Sequence, residues 1–355
     1  MFTKLCYGVE SMPTTNMNQP PEILLLRGAD VPPMPSYDIH EEILTGVHLI
    51  RGANRARFPQ ANALLVDDEV LTLIDAGAAL EHIEGTLRDL GHELSDIDQI
   101  VLTHFHIDHK GHAEEIRQIA HCDVLCHPSG ERAVTTFDGM VDFYGISGHE
   151  HFDDWKGFLE AHLPFVTSDY EITGFFEDGD TISCGTTDLI ALHTPGHTVD
   201  HTCFGIGDTK TIFLVDIDLT RFGAWYGNAV SDISDFRSSI RRIIDYEPEM
   251  GISSHLLHPV THDLVDQLGD YLHEFDRRDR AIMNAIGNGF DTIEKLKHRP
   301  TIYPRIPHNL YYIFEEFMLR KHIDELVVRG LIEREDSMLQ LVGERDELDE
   351  SPSSP

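Results

Sequence analysis

No stretch of this chain approaches the roughly 18 consecutive apolar residues that a membrane-crossing helix needs. Residues 1–22 also lack a basic start followed by a long apolar run. Neither a membrane span nor a secretory leader is expected, and the reading favours the cytoplasm. Cysteine is scarce: Cys6, Cys122, Cys126, Cys184 and Cys203 are odd in number and scattered, which suits reduced thiols rather than a disulfide framework. Basic side chains are scarce too. Against 62 acidic residues stand 27 Lys and Arg, for a formal net charge of -35. Such a surface repels polyanions, so nucleic acid is a disfavoured partner and a small molecule the favoured one, with a homodimer allowed.

What is present falls into blocks. At 355 residues the chain exceeds one typical domain of about 100–200 residues. Its first 38 residues are rich in Pro, Asn, Met and Thr, read as an N-terminal extension in which only Ile23 to Leu26 looks strand-like. From Ile43 the text turns to short apolar runs, ILTGVHLIRG, ANALLVDD and VLTLIDAG, and the acidic turn at Asp67, Asp68 and Glu69 predicts a hairpin between the last two. Leu80, Ile83, Leu87 and Leu90 recur at helical spacing and stop at Gly91. Residues 131–170 show no clear period and are expected to be an irregular insertion with helical pieces, a candidate lid. Strand signals resume at DTISCG, TDLIALHT, HTCFGIGD and TKTIFLVDID. A helix over 233–246 follows, then the strand MGISSH and a long amphipathic helix from Leu264 to the punctuation Gly287-Asn288-Gly289. Beyond it, residues 289–343 run helix, longer helix, two short strands, the order of a small winged helix. Residues 344–355 are charged and polar, an expected disordered tail.

The chemistry concentrates in VLTHFHIDHKGH, where His104, His106, Asp108, His109 and His112 lie within nine positions directly after an apolar strand. Imidazoles alternating at a strand end can point the same way, while Asp108 and His109 at a helical entry can face a neighbouring point. That suits two adjacent metal sites. A zinc ion takes three or four N or O ligands at about 2.0–2.2 Å, so further ligands must come from elsewhere. His197 in HTPGHTVDH, Asp216 in TIFLVDID and His255 in ISSHLLH each follow a short β-type run. Asp218 competes with Asp216 for its role, and His258 with His255.

In this order and with these intervals, THFHIDH, HTPGHT, the Asp of IFLVDID and a late strand-end His resemble the metallo-beta-lactamase superfamily of metal-dependent hydrolases, over about residues 43–288. The Asp-His after HTPGHT and the C-terminal winged helix are similar to its lactamase-beta-2-like group. The resemblance implies an α/β fold, a four-layered αββα sandwich over residues 39–288. It implies one metal on His104, His106 and His197, a second on Asp108, His109 and His255, and Asp216 between them. Zinc is the expected ion, two per chain, with iron or manganese also suited to these ligands. A bridging hydroxide would attack a thioester, lactone or other ester-type carbonyl, with Asp108 as the catalytic residue that orients the nucleophile or takes its proton. Asp75 matches the family's carboxylate that holds the histidine turn.

The chain departs from the family at three places. Val215 stands where a Gly usually precedes the bridging Asp. Ser-Ser-His-Leu-Leu-His replaces Pro-Gly-His-Gly around the last ligand. Lys110, Gly111 and His112 replace a small residue and two glycines, putting a cation and an imidazole at the expected substrate entrance. Trp225 and Tyr226 follow the bridging Asp and are candidate pocket residues, and His201 a candidate neighbour of the ligands. His112 and His193 read as structural, and His149, His151 and His162 as surface residues. Three further readings remain open: an endoribonuclease of the lactamase-beta-2-like type, a mononuclear iron persulfide dioxygenase using His104 or His106 with His197 and Asp216, and a non-enzymatic winged-helix regulator.

Overall fold

Alternation along the strands sets the architecture: successive residues point to opposite faces, and in the inner strands both faces are buried. The computed structural model describes residues 37–299, 301–306 and 309–342. The strand-like Ile23 to Leu26, nearly all of the N-terminal extension and the acidic tail lie outside these residues.

The first sheet comprises β1 (His40–Leu44), β2 (Val47–Ile50), β3 (Ala63–Val66), β4 (Thr72–Ile74), β5 (Gln99–Val101), β6 (Asp123–Cys126) and β7 (Gly174–Phe175), in that spatial order. The expected β3–β4 hairpin pairs antiparallel, whereas β4, β5 and β6 run parallel. Between strands lie α1 (Leu80–Leu90), α2 (Ile107–Lys110), α3 (Ala113–Ala120), α4 (Glu131–Thr135), α5 (Phe137–Tyr144) and α6 (Phe152–His162). Gly91 ends α1 at φ +91°, and its N–H bonds back to the last turn. The second sheet has the order β12-β11-β10-β9-β8: β8 (Thr181–Ser183), β9 (Asp188–His193), β10 (Thr202–Ile206), β11 (Thr211–Val215) and β12 (Met250–Ser253), with α7 (Ile233–Asp245) crossing between the parallel β11 and β12. The chain continues through α8 (Leu264–Gly287), α9 (Ile293–Lys297), α10 (Tyr311–Val328) and the hairpin β13 (Ile332–Glu335) and β14 (Met338–Leu341).

Leu49, Leu64, Val66, Ile74 and Val101 from the first sheet meet Leu189, Ala191, Phe204, Phe213, Val215 and Ile252 from the second in one buried layer. Their strand neighbours face outward. Leu65, Leu73 and Ile100 pack under Ile83 and Leu87 of α1, Ile116 of α3, and Val134, Met140, Trp155 and Leu159 of the 131–170 insertion. Cys203, Ile212 and Leu214 pack under Phe236 and Ile240 of α7, Leu268 and Phe275 of α8, and Met318, Leu319 and Ile323 of α10. The result is helices, sheet, sheet, helices. Each fully buried Leu, Ile or Phe contributes about 1.5–3 kcal/mol of transfer free energy, so the insertion and α10 are bound to the body by their apolar faces. The helix–helix–hairpin order expected after Gly289 is present in α9, α10, β13 and β14, with α10 built into the second core. Among the described residues no helix is long and apolar enough to cross a membrane.

Candidate metal centre

Parallel strands bring their C-terminal ends to one edge, and every proposed ligand sits there. Asp75 follows β4 in a left-handed conformation, φ +60°. Its carboxylate accepts from the Thr103 N–H at 2.9 Å and the Thr103 hydroxyl at 2.8 Å. It also faces His109 Nδ1 at 2.8 Å. An ionised carboxylate only accepts, so His109 carries its proton on Nδ1 and turns Nε2 inward. The Thr103 oxygen, having donated, takes a proton from His104 Nδ1 at 3.0 Å, and His104 likewise presents Nε2. Two backbone bonds fasten the turn: Ala76 N–H to the His109 carbonyl at 2.8 Å, and His112 N–H to the Ala76 carbonyl at 2.9 Å. The approach requires glycine, because a Cβ on Gly77 would lie 1.5 Å from the Asp108 carbonyl oxygen.

The second sheet supplies the rest. His197 donates Nδ1–H to the Trp225 carbonyl at 2.8 Å, leaving Nε2 at 2.9 Å from His106 Nδ1 and 3.1 Å from Asp216 Oδ2. His255 donates Nδ1–H to the Ala56 carbonyl at 2.7 Å, and its Nε2 lies 3.4 Å from Asp216 Oδ1 and 3.9 Å from Asp108 Oδ2. Asp216 is aimed by its backbone: its N–H donates to His201 Nε2 at 3.1 Å, and His201 Nδ1 bonds to the Thr194 carbonyl at 3.0 Å. Val215, where the family has Gly, takes φ +55° at a bulge against β12. A left-handed conformation costs a residue with a Cβ about 1–2 kcal/mol, so the chain tolerates strain to turn Asp216 inward.

Two ligand groups result, each with its donor atoms within 4.8 Å of one another: His104, His106, His197 and Asp216, and Asp108, His109 and His255. A cation fits them. Buried polar atoms normally find hydrogen-bond partners, yet His104 Nε2, His109 Nε2 and Asp216 Oδ1 are buried without one. The last two approach to 3.1 Å without hydrogen-bond alignment. Burial, followed by neighbouring imidazoles, holds His104 and His106 well below the usual histidine range, so both offer lone pairs. Burial would raise the Asp216 carboxyl, but His109, His255 and His197 override it and keep the group anionic, well below the carboxylate range. Burial would lower His255, yet Asp216 carries it up to about 9.

Several sequence expectations need correction. Lys110 is not at the entrance: it is fully buried, donates to the Val134 carbonyl at 3.2 Å and lies 4.1 Å from the centre of the Tyr170 ring. Burial lowers it to about 7. Tyr226 does not line the pocket. It is fully buried in a network with His322 at 2.5 Å and Arg278 at 2.8 Å. His258 stays outside, with a side chain 61 % exposed and 3.5 Å from Glu41. Asp218 bonds instead to the Thr220 N–H and the Tyr271 hydroxyl, each at 3.0 Å. His112 stacks on Phe165, and His193 on His127. Trp225 does reach the centre: its half-buried ring lies 5.4 Å from that of His106. Sequence reading missed Thr103, Tyr144, Asn228 and Ser231. Tyr144 stacks on His106 with ring centres 5.1 Å apart. Thr103 adjoins His104 and could have been suspected, but nothing periodic flags the other three.

The model of the metallo-beta-lactamase superfamily matches residues 56–255. This chain belongs to the metallo-beta-lactamase superfamily. It carries that superfamily's hydrolase fold, with the ligand-type residues gathered at the sheet edge. An atrochrysone carboxyl ACP thioesterase from Claviceps purpurea is 26% identical over 261 residues, covering 72% of this chain and 69% of that protein. Two solved structures share the fold. A metallo-beta-lactamase family protein from Thermus thermophilus superimposes with a TM-score of 0.65 at 21% identity, over 84% of this chain and 99% of that one. A beta-lactamase domain protein from Burkholderia ambifaria gives 0.64 at 17%, over 88% and 96%.

Proposed function

We propose that this superfamily member is a two-metal hydrolase of thioesters, with zinc in both positions, acting in the cytoplasm. One observation carries the reading: the Asp216 carboxylate straddles the two ligand groups, with Oδ2 toward His197 and Oδ1 toward His109 and His255. A carboxylate so placed suits a pair of cations. His104, His106, His197 and Asp216 would hold one ion, and Asp108, His109 and His255, with Asp216, the other. The ions would supply a Lewis acid for the thioester carbonyl and acidify the attacking water.

The chain's own groups do the rest. Asp75, Thr103, Ala56 and Trp225 orient the imidazoles through their outward nitrogens. The Asp108 side chain keeps a slight exposure, 9%, beside those of Asp216 and His255. Its carboxylate takes the proton lost by water on attack at the carbonyl carbon. It returns that proton to the sulfur as the carbon–sulfur bond breaks, giving a carboxylic acid and a thiol. Thioesters are favoured over lactones because a relative covering most of this chain is named as an acyl-carrier thioesterase. The net charge of -35 counts against an RNA substrate. The persulfide reading leaves Asp108, His109 and His255 without a task.

The test is metal analysis of purified protein beside a panel of acyl thioesters, lactones and single-stranded RNA. Thioester cleavage abolished by a chelator and restored by zinc is expected. Chelator-insensitive hydrolysis, or cleavage of RNA alone, would sink the proposal.

A further inference from the structure

Asn228 is fully buried and touches both halves of the first ligand group. Its amide nitrogen lies 3.1 Å from His106 Nε2 and donates at 3.1 Å to the His197 carbonyl. Its amide oxygen is buried with no partner. Its backbone carbonyl accepts from Lys321 Nζ of α10 at 2.8 Å. The His197 carbonyl is independently satisfied by the Ser231 hydroxyl at 2.7 Å.

The tautomer of His106 makes this arrangement informative. Its Nδ1 is the atom facing His197 Nε2, at 2.9 Å, inside the ligand group. Without an ion, one tautomer satisfies both contacts: His106 donating Nδ1–H toward His197 Nε2, with the Asn228 amide donating to the bare Nε2 of His106. An ion held by Nδ1 reverses this, because Nδ1 must then offer a lone pair and the ring proton moves to Nε2. An amide NH2 cannot accept that proton. The amide oxygen can, and it is the orphaned atom. A half-turn about the terminal side-chain bond exchanges the two nearly isosteric ends; it gives up the amide's bond to the His197 carbonyl, which keeps the Ser231 hydroxyl at 2.7 Å.

Resting on the metal-centre reading above, we propose that Asn228 is the positioning residue of His106. Its amide oxygen receives the Nε2 proton in the loaded protein, and its place is fixed by Lys321, so that α10 sets the affinity of the first ion but not of the second. The C-terminal helix thereby acquires a role in the centre that requires neither nucleic acid nor a second subunit.

The test uses zinc alone, in competition with a chromophoric chelator, on the full chain. Asn228→Leu should weaken one of two ions by about 10- to 100-fold and leave the other unchanged. Asn228→Asp, which keeps an acceptor, should stay within about threefold of the parent protein, and Lys321→Met should fall between. Long-range 1H–15N correlation of the wild-type imidazoles gives a readout independent of any variant's folding: the His106 proton should sit on Nε2 with zinc and on Nδ1 without. Asn228→Leu holding both ions as tightly as the parent, Asn228→Asp as weak as Asn228→Leu, or a loaded His106 protonated on Nδ1 would each overturn the assignment. A wild-type protein that retains no zinc would overturn the metal centre itself, and this role with it.

Discussion

Replacing Gly77 by alanine should eject the second ligand group. The new methyl would stand 1.5 Å from the Asp108 carbonyl oxygen and 2.3 Å from its carbon, against the 3.0 Å below which real Cβ contacts essentially do not occur. The obstacle is backbone, so no side chain can swing aside. Either β4 and its extension retreat, breaking the Ala76–His109 and His112–Ala76 bonds, or α2 is displaced with Asp108 and His109. Overpacking of this kind costs about 1–3 kcal/mol, which for a protein of this size lowers Tm by about 2–10 °C. Ligand distances tolerate only about 0.2 Å, so a shift of about an ångström or more in α2 should lower affinity for the second ion at least about 100-fold. Gly269→Ala is the control: it lies within α8 with nothing within 4 Å of its Cβ, and should leave the protein unchanged or slightly stabilised. Zinc content after equilibrium dialysis, with melting curves of ion-free and loaded forms, decides the matter. Gly77→Ala retaining two ions per chain with Tm within about 1 °C of the parent would refute the packing argument.

Asp75→Ala strands His109 Nδ1 and both Thr103 donors in a buried site, so stability should fall by about 3–5 kcal/mol and zinc binding with it, read by denaturant melts and metal analysis. His255→Ala should lose one ion while His258→Ala keeps both; equal behaviour of the pair would contradict the placement of His255 beside Asp216. In Val215→Gly, relief of about 1–2 kcal/mol of left-handed strain is outweighed by lost burial of about 1.5–3 kcal/mol and glycine's entropy of about 0.5–1 kcal/mol, so urea melts should show a net loss of about 1–2 kcal/mol. A stabilised variant would show that strain dominates. His255 is raised from 6.5 to about 9 in the ion-free protein, so its contribution is fully present below pH 6.5 and fades as pH climbs through 9. The gap in Tm between loaded and ion-free protein should therefore widen across that window, while Lys110, buried in both, drops out of the difference. A gap independent of pH would count against a protonated His255.

Much of this was legible in the residue order. Short apolar runs announced the strands, the acidic turn at Asp67 the β3–β4 hairpin, and Gly91 the end of α1, because each is a local signal of backbone geometry. Ligand types at strand ends were visible for the same reason. His255 was preferred to His258 because it directly follows a strand, but the partner that fixes its ring, the Ala56 carbonyl 199 positions away, was not visible. Lys110 misled because a cation in a ligand turn suggests exposure, whereas the side chain passes under α4 to Tyr170. Asn228 and Tyr144 lie in segments with no period, and only packing gives them their task.

Neither ligand group belongs to one sheet. His104 and His106 reach His197 and Asp216 across the interlayer seam, as Asp108 and His109 reach His255. A bound ion would therefore rivet the two leaves of the sandwich, closing chain loops long enough for such a link to restrict the unfolded polymer strongly. Metal capture would have to wait until both leaves have met, making occupancy a certificate of completed assembly rather than a guide to it.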